Sequence, residues 1–232
     1  MIALPAPPHR IARLPKDERG YPVPRFVEWL KDGRAARCTE QGAKPDFRYA
    51  RADFRNSAFT HGYCWVCGEL TGVHKVYAIG PMCVINRVTQ EPSCHRDCAE
   101  YAVKACPFLL RPRMKRLPTD EDAPRNVAGI MIDRNPGCTC LYETKDARAF
   151  DAGNGWLIRL GEPDRVDWWC EGRQATRAEV EASIDSGYPI LFAMAKKDGP
   201  DAVEELIALA DKAMKLLPRD GPAPCGAPAT PA

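Results

Sequence analysis

Two pairs of metal-binding residue types constrain this chain more than any other feature of its sequence. They are Cys64-x2-Cys67 and His95-x2-Cys98, and 27 residues separate them. In proteins Zn²⁺ is bound tetrahedrally by thiolate and imidazole groups, and closed Cys3His sites are common. The spacing therefore predicts one structural Zn²⁺ held by these four residues. Because four protein ligands leave no coordination position for a catalytic water, we expect the metal to take no part in catalysis.

The cysteines as a set favour metal binding over disulfide bonds. The chain has 11 cysteines, which is an odd number, and several of them are clustered. The N-terminus lacks a charged segment followed by a long apolar stretch, so no signal peptide is predicted. No apolar run is long enough to span a membrane, and we expect no membrane partner. These features indicate the cytoplasm, where thiols stay reduced.

One ligand position has two candidates. Cys94 directly precedes His95 and is an alternative fourth ligand, because zinc accepts either residue type. Cys83 and Cys106 are better interpreted as buried packing residues, since a free cysteine behaves as a small apolar side chain.

The segment around the two pairs has the element order of a treble-clef zinc finger. We predict a cysteine knuckle, then a hairpin of strands over 72–79 and 83–88, then a helix over 94–105 that begins at Ser93 as its N-cap. His95 and Cys98 are three residues apart, so this helix places both on one face.

The whole chain is predicted to have the α+β fold class: a treble-clef-like zinc module, a small antiparallel sheet and C-terminal helices. Thr176 and Glu179 form a capping-box pattern at the start of a helix that Gly187 would end. The predicted regions are an extended N-terminal region with short strands and a helix (1–61), the zinc-binding module (62–110), a basic linker (111–125), a small sheet followed by helices (126–220) and a disordered tail (221–232).

The individual elements follow from hydrophobic periodicity and turn residues. We expect strands over 26–30, 46–49, 127–132, 138–143, 156–160 and 165–170. Helices are expected over 51–60, 176–187 and 189–199, and from 200 to 217.

The charge distribution is compatible with a polyanionic partner or with an acidic protein surface. Residues 1–125 carry 21 Lys and Arg against 14 Asp and Glu, a net charge of +7, whereas residues 126–232 carry 12 against 17, a net charge of −5. Lysine and arginine bind phosphates through charge and counterion release. The candidate nucleic-acid-binding residues are those of the linker and the start of the predicted finger helix: Arg96, Arg111, Arg113, Lys115 and Arg116. An unevenly charged, solvated surface explains the same pattern equally well.

Two other functions remain open. A metal-dependent nuclease of the His-Asn-His kind would use His74 as general base, with Asn86 and His95 following in order. However, no acidic residue directly precedes His74, and His95 cannot ligate two metals. Binding to a host protein is the other alternative, with Trp168-Trp169 as a possible interface patch. The sequence contains no P-loop, dinucleotide fingerprint or nucleophile elbow, so a non-enzymatic binding protein is favoured.

Several short motifs resemble an uncharacterised family of bacterial and bacteriophage proteins. They are Cys64-Trp-Val-Cys-Gly, Ile79-Gly-Pro-Met, Asn86-Arg87 and His95-x2-Cys98-Ala-x-Tyr-Ala-x2-Cys106-Pro-Phe-Leu. The likeness runs from Arg19-Gly-Tyr-Pro-Val-Pro to Thr176-Arg-x-Glu-Val, and Cys94 departs from the pattern. It implies a phage or prophage origin, with the host cytoplasm as location, and a shared zinc module. It implies no activity; a phage-encoded inhibitor of a host defence protein stays an alternative.

Overall fold

The computed structural model describes residues 5–111 and 135–219. Within these residues the helices are α1 (His9–Ala12), α2 (Ala52–His61), α3 (Pro81–Asn86), α4 (Arg96–Ala105), α5 (Pro107–Leu110), α6 (Arg177–Asp198) and α7 (Pro200–Met214). The strands are β1 (Val27–Lys31), β2 (Arg34–Ala35), β3 (Lys44–Ala50), β4 (Lys75–Ile79), β5 (Val88–Thr89), β6 (Cys138–Thr144), β7 (Ala147–Asp151), β8 (Trp156–Leu160), β9 (Arg165–Cys170) and β10 (Arg173–Gln174). These elements confirm the predicted α+β class.

A four-stranded antiparallel sheet in the order β10-β9-β6-β4 is the centre of the fold. Tyr77 of β4 pairs with Tyr142 of β6, and Cys140 of β6 pairs with Trp168 of β9. Strand β6 is buried at six of its seven positions because both faces of this sheet are covered. The strand therefore lacks the apolar–polar alternation of a sheet with one solvated face.

One face of the central sheet packs against helices. Its side chains, which include Tyr142 and Trp168, join the apolar faces of α3, α6 and α7 in one buried cluster. Helix α6 supplies a buried stripe at helical spacing, which consists of Val180, Ile184, Gly187, Leu191 and Ala195.

The opposite face packs against α4 and the cysteine knuckle. Alternation along the strands turns Val76 and Leu141 to this side, where they contact a second buried cluster. Helix α4 contributes Cys98, Ala99 and Val103 to it. The central sheet thus links the predicted zinc module to the region that follows the predicted linker.

Two smaller sheets flank this centre. Strands β2-β1-β3 form an antiparallel sheet near the N-terminus, and β5-β8-β7 form another beside α3. Asp32 and Gly33 connect β1 to β2 in a two-residue turn with φ values of 50° and 74°, which suits the right-handed twist of a hairpin.

Several element predictions are confirmed. The strands over 156–160 and 165–170 have the predicted bounds. The capping box at α6 is present: the Thr176 hydroxyl oxygen accepts the Glu179 N–H, and the Glu179 carboxylate accepts the Thr176 N–H. The predicted strand over 127–132 and the tail lie outside the described residues. Strand β7 was not predicted.

The predicted hairpin over 72–88 is wrong. Residues Pro81–Asn86 form helix α3, with Pro81 at its first position, and β4 pairs with β6 instead. Proline is pre-organised for the first helical position, where its missing N–H has no intrahelical partner. The knuckle, strand and helix of a treble clef follow in order, but the hairpin is missing. Moreover, the N-cap of α4 is His95 and not Ser93.

The predicted stop at Gly187 is also wrong. Helix α6 is 22 residues long and runs through Gly187 and Pro189 without a break. A proline inside a helix removes one backbone hydrogen bond. The buried stripe continues across this point from Ile184 to Leu191, so apolar burial offsets the loss.

Candidate metal centre

Cys64, Cys67, His95 and Cys98 come together as predicted. One ligand atom from each residue lies within 4.8 Å of all the others, and the three cysteines are buried. Cys64 and Cys67 come from the knuckle that follows α2. His95 caps α4, and Cys98 lies in its first turn. Three sulfurs and an imidazole at this spacing are close enough to hold a metal ion.

Local backbone geometry shapes the knuckle. The Cys67 N–H points to the Cys64 sulfur at 3.5 Å, and Gly68 donates to the Cys64 carbonyl oxygen at 2.9 Å. Gly68 has a φ of 82°, and a Cβ there would lie 3.0 Å from the Arg25 Cγ, so glycine suits this position. The Trp65 ring is stacked on Phe26, with 4.8 Å between centroids, which anchors the knuckle to the N-terminal region.

The His95 ring is oriented from both of its nitrogens. Nδ1 lies 3.4 Å from the Cys67 sulfur and 3.9 Å from the Cys98 sulfur. Nε2 lies 2.8 Å from the Leu70 carbonyl oxygen. Because this oxygen can only accept, the contact is a hydrogen bond when Nε2 carries the ring proton. This contact leaves the Nδ1 lone pair directed at the sulfurs, which is how outer contacts commonly fix a metal-binding histidine.

The Cys64 sulfur is the hydrogen-bond acceptor that the neighbouring thiols share. It accepts hydrogen bonds from the thiols of Cys67, Cys94 and Cys98, which lower its pKa well below the usual range. The His95 backbone N–H also points to it at 3.4 Å. The same contact with Cys64 raises the pKa of the Cys67 thiol to about 11. Thiolate is the form that binds metals, so this environment favours a ligand at Cys64.

Cys94 is placed beside the cluster and outside the four-atom group. Its backbone exchanges two hydrogen bonds with Val76, at 2.7 and 3.1 Å, which joins the segment before α4 to β4. Its buried thiol contacts the Cys64 sulfur, and that contact is the main cause of its raised pKa. The geometry thus favours His95 over Cys94 as the fourth ligand.

Arg96 does not offer a free cation to phosphate. Its guanidinium donates to Glu143 at 2.8 Å and to Asp167 at 2.6 Å, which belong to β6 and β9. Its charge therefore ties α4 to the central sheet, and the role in phosphate binding inferred from the sequence stays a prediction. Of the other predicted phosphate ligands, Arg111 is exposed, and Arg113, Lys115 and Arg116 lie outside the described residues.

The residues of the nuclease hypothesis do not surround one centre. Asn86 ends α3, which packs on the opposite sheet face from α4, and its side-chain oxygen accepts the Val88 N–H at 3.0 Å. His74 does have an acidic partner, because its Nδ1 lies 3.3 Å from a Glu143 carboxylate oxygen. Sequence inspection missed this contact because it joins residues 69 positions apart.

Neither tryptophan of the suggested interface patch is freely presented. The Trp168 indole N–H donates to the Leu216 carbonyl oxygen at 2.9 Å on the helical side of the sheet. Trp169 turns to the other side, where the Lys104 ammonium lies 4.9 Å from its ring centroid. Alternation along β9 separates the two rings, so they do not form one surface.

Comparison with known proteins adds no assignment, since no family model, curated protein or solved structure matches this chain. Among the described residues, no helix has both the length and the apolar character needed to cross a membrane.

Proposed function

We propose that this chain is a non-enzymatic binding protein with one structural Zn²⁺ held by Cys64, Cys67, His95 and Cys98. The convergence of all four ligand atoms supports this proposal. Three thiolates and one imidazole suit Zn²⁺, and a complete four-residue set leaves no open coordination position. Such a site suits a reducing cytoplasm, as would apply to a phage protein in its host.

We further propose that the partner is a nucleic acid. The observation that carries this proposal is the surplus of positive charge before the knuckle: residues 1–61 contain 12 Lys and Arg but 7 Asp and Glu. Lys31, Arg34 and Arg37 in this region are exposed, and no carboxylate among the described residues pairs with their side chains. Uncompensated cations on one part of a surface are the electrostatic footprint of nucleic-acid binding.

A gel-shift titration tests the partner. At roughly 50 mM salt, where phosphate contacts are strong, the zinc-loaded protein should retard DNA or RNA, and added salt should weaken the shift steeply. No retardation by folded, zinc-containing protein would reject the nucleic-acid proposal and leave a host protein as the partner to pursue.

The second candidate is a metal-dependent nuclease, which the contact between His74 and Glu143 favours. A carboxylate that orients a histidine can prepare it as a general base. Addition of Mg²⁺ in the same titration separates the two functions. We expect no cleavage, and His74→Ala should leave binding unchanged. Mg²⁺-dependent cleavage that His74→Ala abolishes would establish the nuclease instead.

A further inference from the structure

The N-terminal sheet β2-β1-β3 lies outside both apolar cores. Neither buried cluster includes a residue of β2 or β3, and from β1 only Val27 is fully buried. A three-stranded sheet usually needs an apolar face packed against another layer. This sheet instead leaves Phe47 with 48% of its surface exposed.

Strand register places one aromatic ring, one proline and two cations on one side of this sheet. Lys31 pairs directly with Arg34, and Trp29 pairs directly with Pro45. Residues opposite each other share a face, as do residues two apart in one strand, so these four side chains lie together.

Phe47 joins the same side. The side chains of Asp46 and Arg48 are hydrogen-bonded to each other at 2.6 to 3.0 Å, which places both on one side of β3. Phe47 lies between them and therefore points to the other side, with Pro45. We name this set the aromatic–cationic face: Trp29, Lys31, Arg34, Pro45 and Phe47.

The positions of Lys31 and Arg34 on this face favour the binding of an anion. Like charges directly opposite on neighbouring strands destabilise a hairpin. The side chains of Lys31 and Arg34 have no ion pair with any described residue. Both line a shallow depression of about 370 Å³, at which Asp32 and Glu40 also lie. Glu40 is already engaged, because it accepts the Arg37 backbone N–H at 2.8 Å.

The other side of the sheet is different. Both of its cations have a carboxylate partner, since Lys44 contacts Glu18 at 2.8 Å and Arg48 contacts Asp46 at 2.6 Å. The exposed ring of Phe47 and the unpaired cations Lys31 and Arg34 thus lie on the same side, together with the half-buried Trp29.

We propose that the aromatic–cationic face binds single-stranded nucleic acid, an inference that rests on the proposed function. Unpaired bases stack on exposed aromatic rings, while lysine and arginine beside them bind the phosphates. Successive side chains on one face of a strand are about 6.6 Å apart, so Trp29 and Lys31 can contact a base and a neighbouring phosphate. In a duplex the bases stay stacked on each other, so Phe47 finds no free base face to stack on.

Fluorescence anisotropy with a labelled oligothymidylate of about 12 nucleotides, within the usual size of a single-strand site, tests the face. Phe47→Ala should weaken binding of this probe by about fivefold or more, as expected for the loss of one stacked base. Its affinity for a duplex of the same length should not change. Phe47→Tyr should restore single-strand binding, because it keeps the ring.

The contribution of the two cations to binding is measured by the salt dependence of the affinity. Lys31→Ala with Arg34→Ala should lower the slope of log affinity against log salt by about 1.4, or about 0.7 for each lost phosphate contact on a single strand. Matched controls are Trp156→Ala, an exposed aromatic on β8, and Lys197→Ala with Lys215→Ala, two exposed lysines of the C-terminal region. Neither control should change affinity or slope.

The outcomes separate this inference from the proposed function. Wild-type protein that binds no oligonucleotide overturns both. Binding that survives Phe47→Ala and the Lys31/Arg34 double variant unchanged overturns the face alone. In that case, loss of binding on replacing Arg111, Arg113, Lys115 and Arg116 with alanine would locate the contacts in the predicted linker. Circular dichroism and zinc content confirm that each variant is folded.

Discussion

The helical face of the central sheet contributes to a cluster of 20 buried residues, whereas the metal-centre face contributes to a cluster of 13. Three of those 13 are the cysteines of the candidate metal centre, and one more is Cys94. The helical side is therefore stabilised by ordinary apolar burial. The other side has fewer apolar side chains and gathers them around four ligand residues.

This difference indicates that the two faces of one sheet are stabilised in different ways. Small cores bury too little surface to be stable alone and often depend on a metal. In such modules the free energy of metal binding contributes directly to folding. We expect the knuckle and α4 to depend on Zn²⁺ and α6 and α7 to be far less sensitive to it.

Loss of the metal should have the largest effect. Treatment with a strong chelator, or Cys98→Ser, should abolish hydrogen-exchange protection in α4, because structural zinc sites contribute on the order of 10 kcal/mol to folding of small modules. Protection in α6 should fall much less. Cys106→Ser, at the end of the same helix, is the matched control and should leave the pattern intact. Equal loss of hydrogen-exchange protection in α4 and α6 would contradict this difference between the two faces.

Truncation within the helical core should come next. Leu206→Ala should lower the free energy of unfolding by about 2–4 kcal/mol, because Leu206 is 5% exposed and its removal leaves a cavity. The neighbouring Ile207 is 45% exposed, and Ile207→Ala should cost less than about 0.5 kcal/mol. Denaturant titration of both variants measures the difference. Similar costs would mean that α7 is not packed as described.

The ionic contact between α4 and the central sheet should matter less. Arg96→Leu leaves the half-buried carboxylates of Glu143 and Asp167 without their shared cation, which should cost about 1–3 kcal/mol, between the values for exposed and buried pairs. Arg148→Leu removes an exposed pair with Asp146 and should cost nearly nothing. Thermal unfolding at low and high salt checks both, and an Arg96→Leu variant as stable as the control would reject this role.

The smallest effect should come from the cap of α6. Thr176→Ala should cost about 1 kcal/mol, because it removes the acceptor for the Glu179 N–H. The hydrogen bonds from Arg173 lower the pKa of Glu179 to about 2 from its usual 4.5. The stabilisation from its charge is therefore full above about pH 4.5 and is lost as the pH falls toward 2.

Glu179→Gln measures that charge. Denaturant titrations of this variant and the wild type should differ at pH 7, and the gap should narrow steadily below pH 4.5. A gap that stays constant across this range would show that the charge of Glu179 does not contribute.

The cluster of four metal-ligand residues was predictable because its evidence lies in residue type and spacing. Cys64, Cys67, His95 and Cys98 are metal-ligand residue types at the separations that a knuckle and a helix turn require. The sequence left Cys94 open as an alternative to His95, because the contact that favours His95, from its Nε2 to the Leu70 carbonyl oxygen, was hidden. A backbone acceptor leaves no trace in residue identities.

The fold was predictable where cap residues are explicit, as at Thr176 and Glu179. The prediction failed where a short apolar run had to be assigned to a strand or to a helix. The run from Met82 to Ile85 suits a strand or a buried helix equally well, and tertiary packing against α7 decides between them. The partner of β4 was also hidden, because β6 begins 59 residues after β4 ends.

Metal analysis of protein purified without chelators tests the central claim most directly. We expect one zinc per chain in the wild type, almost none in Cys64→Ser or Cys98→Ser, and one again in Cys94→Ser, whose thiol lies outside the four-atom group. Wild-type protein without zinc, or a Cys94→Ser variant that loses it while His95→Ala keeps it, would contradict the account.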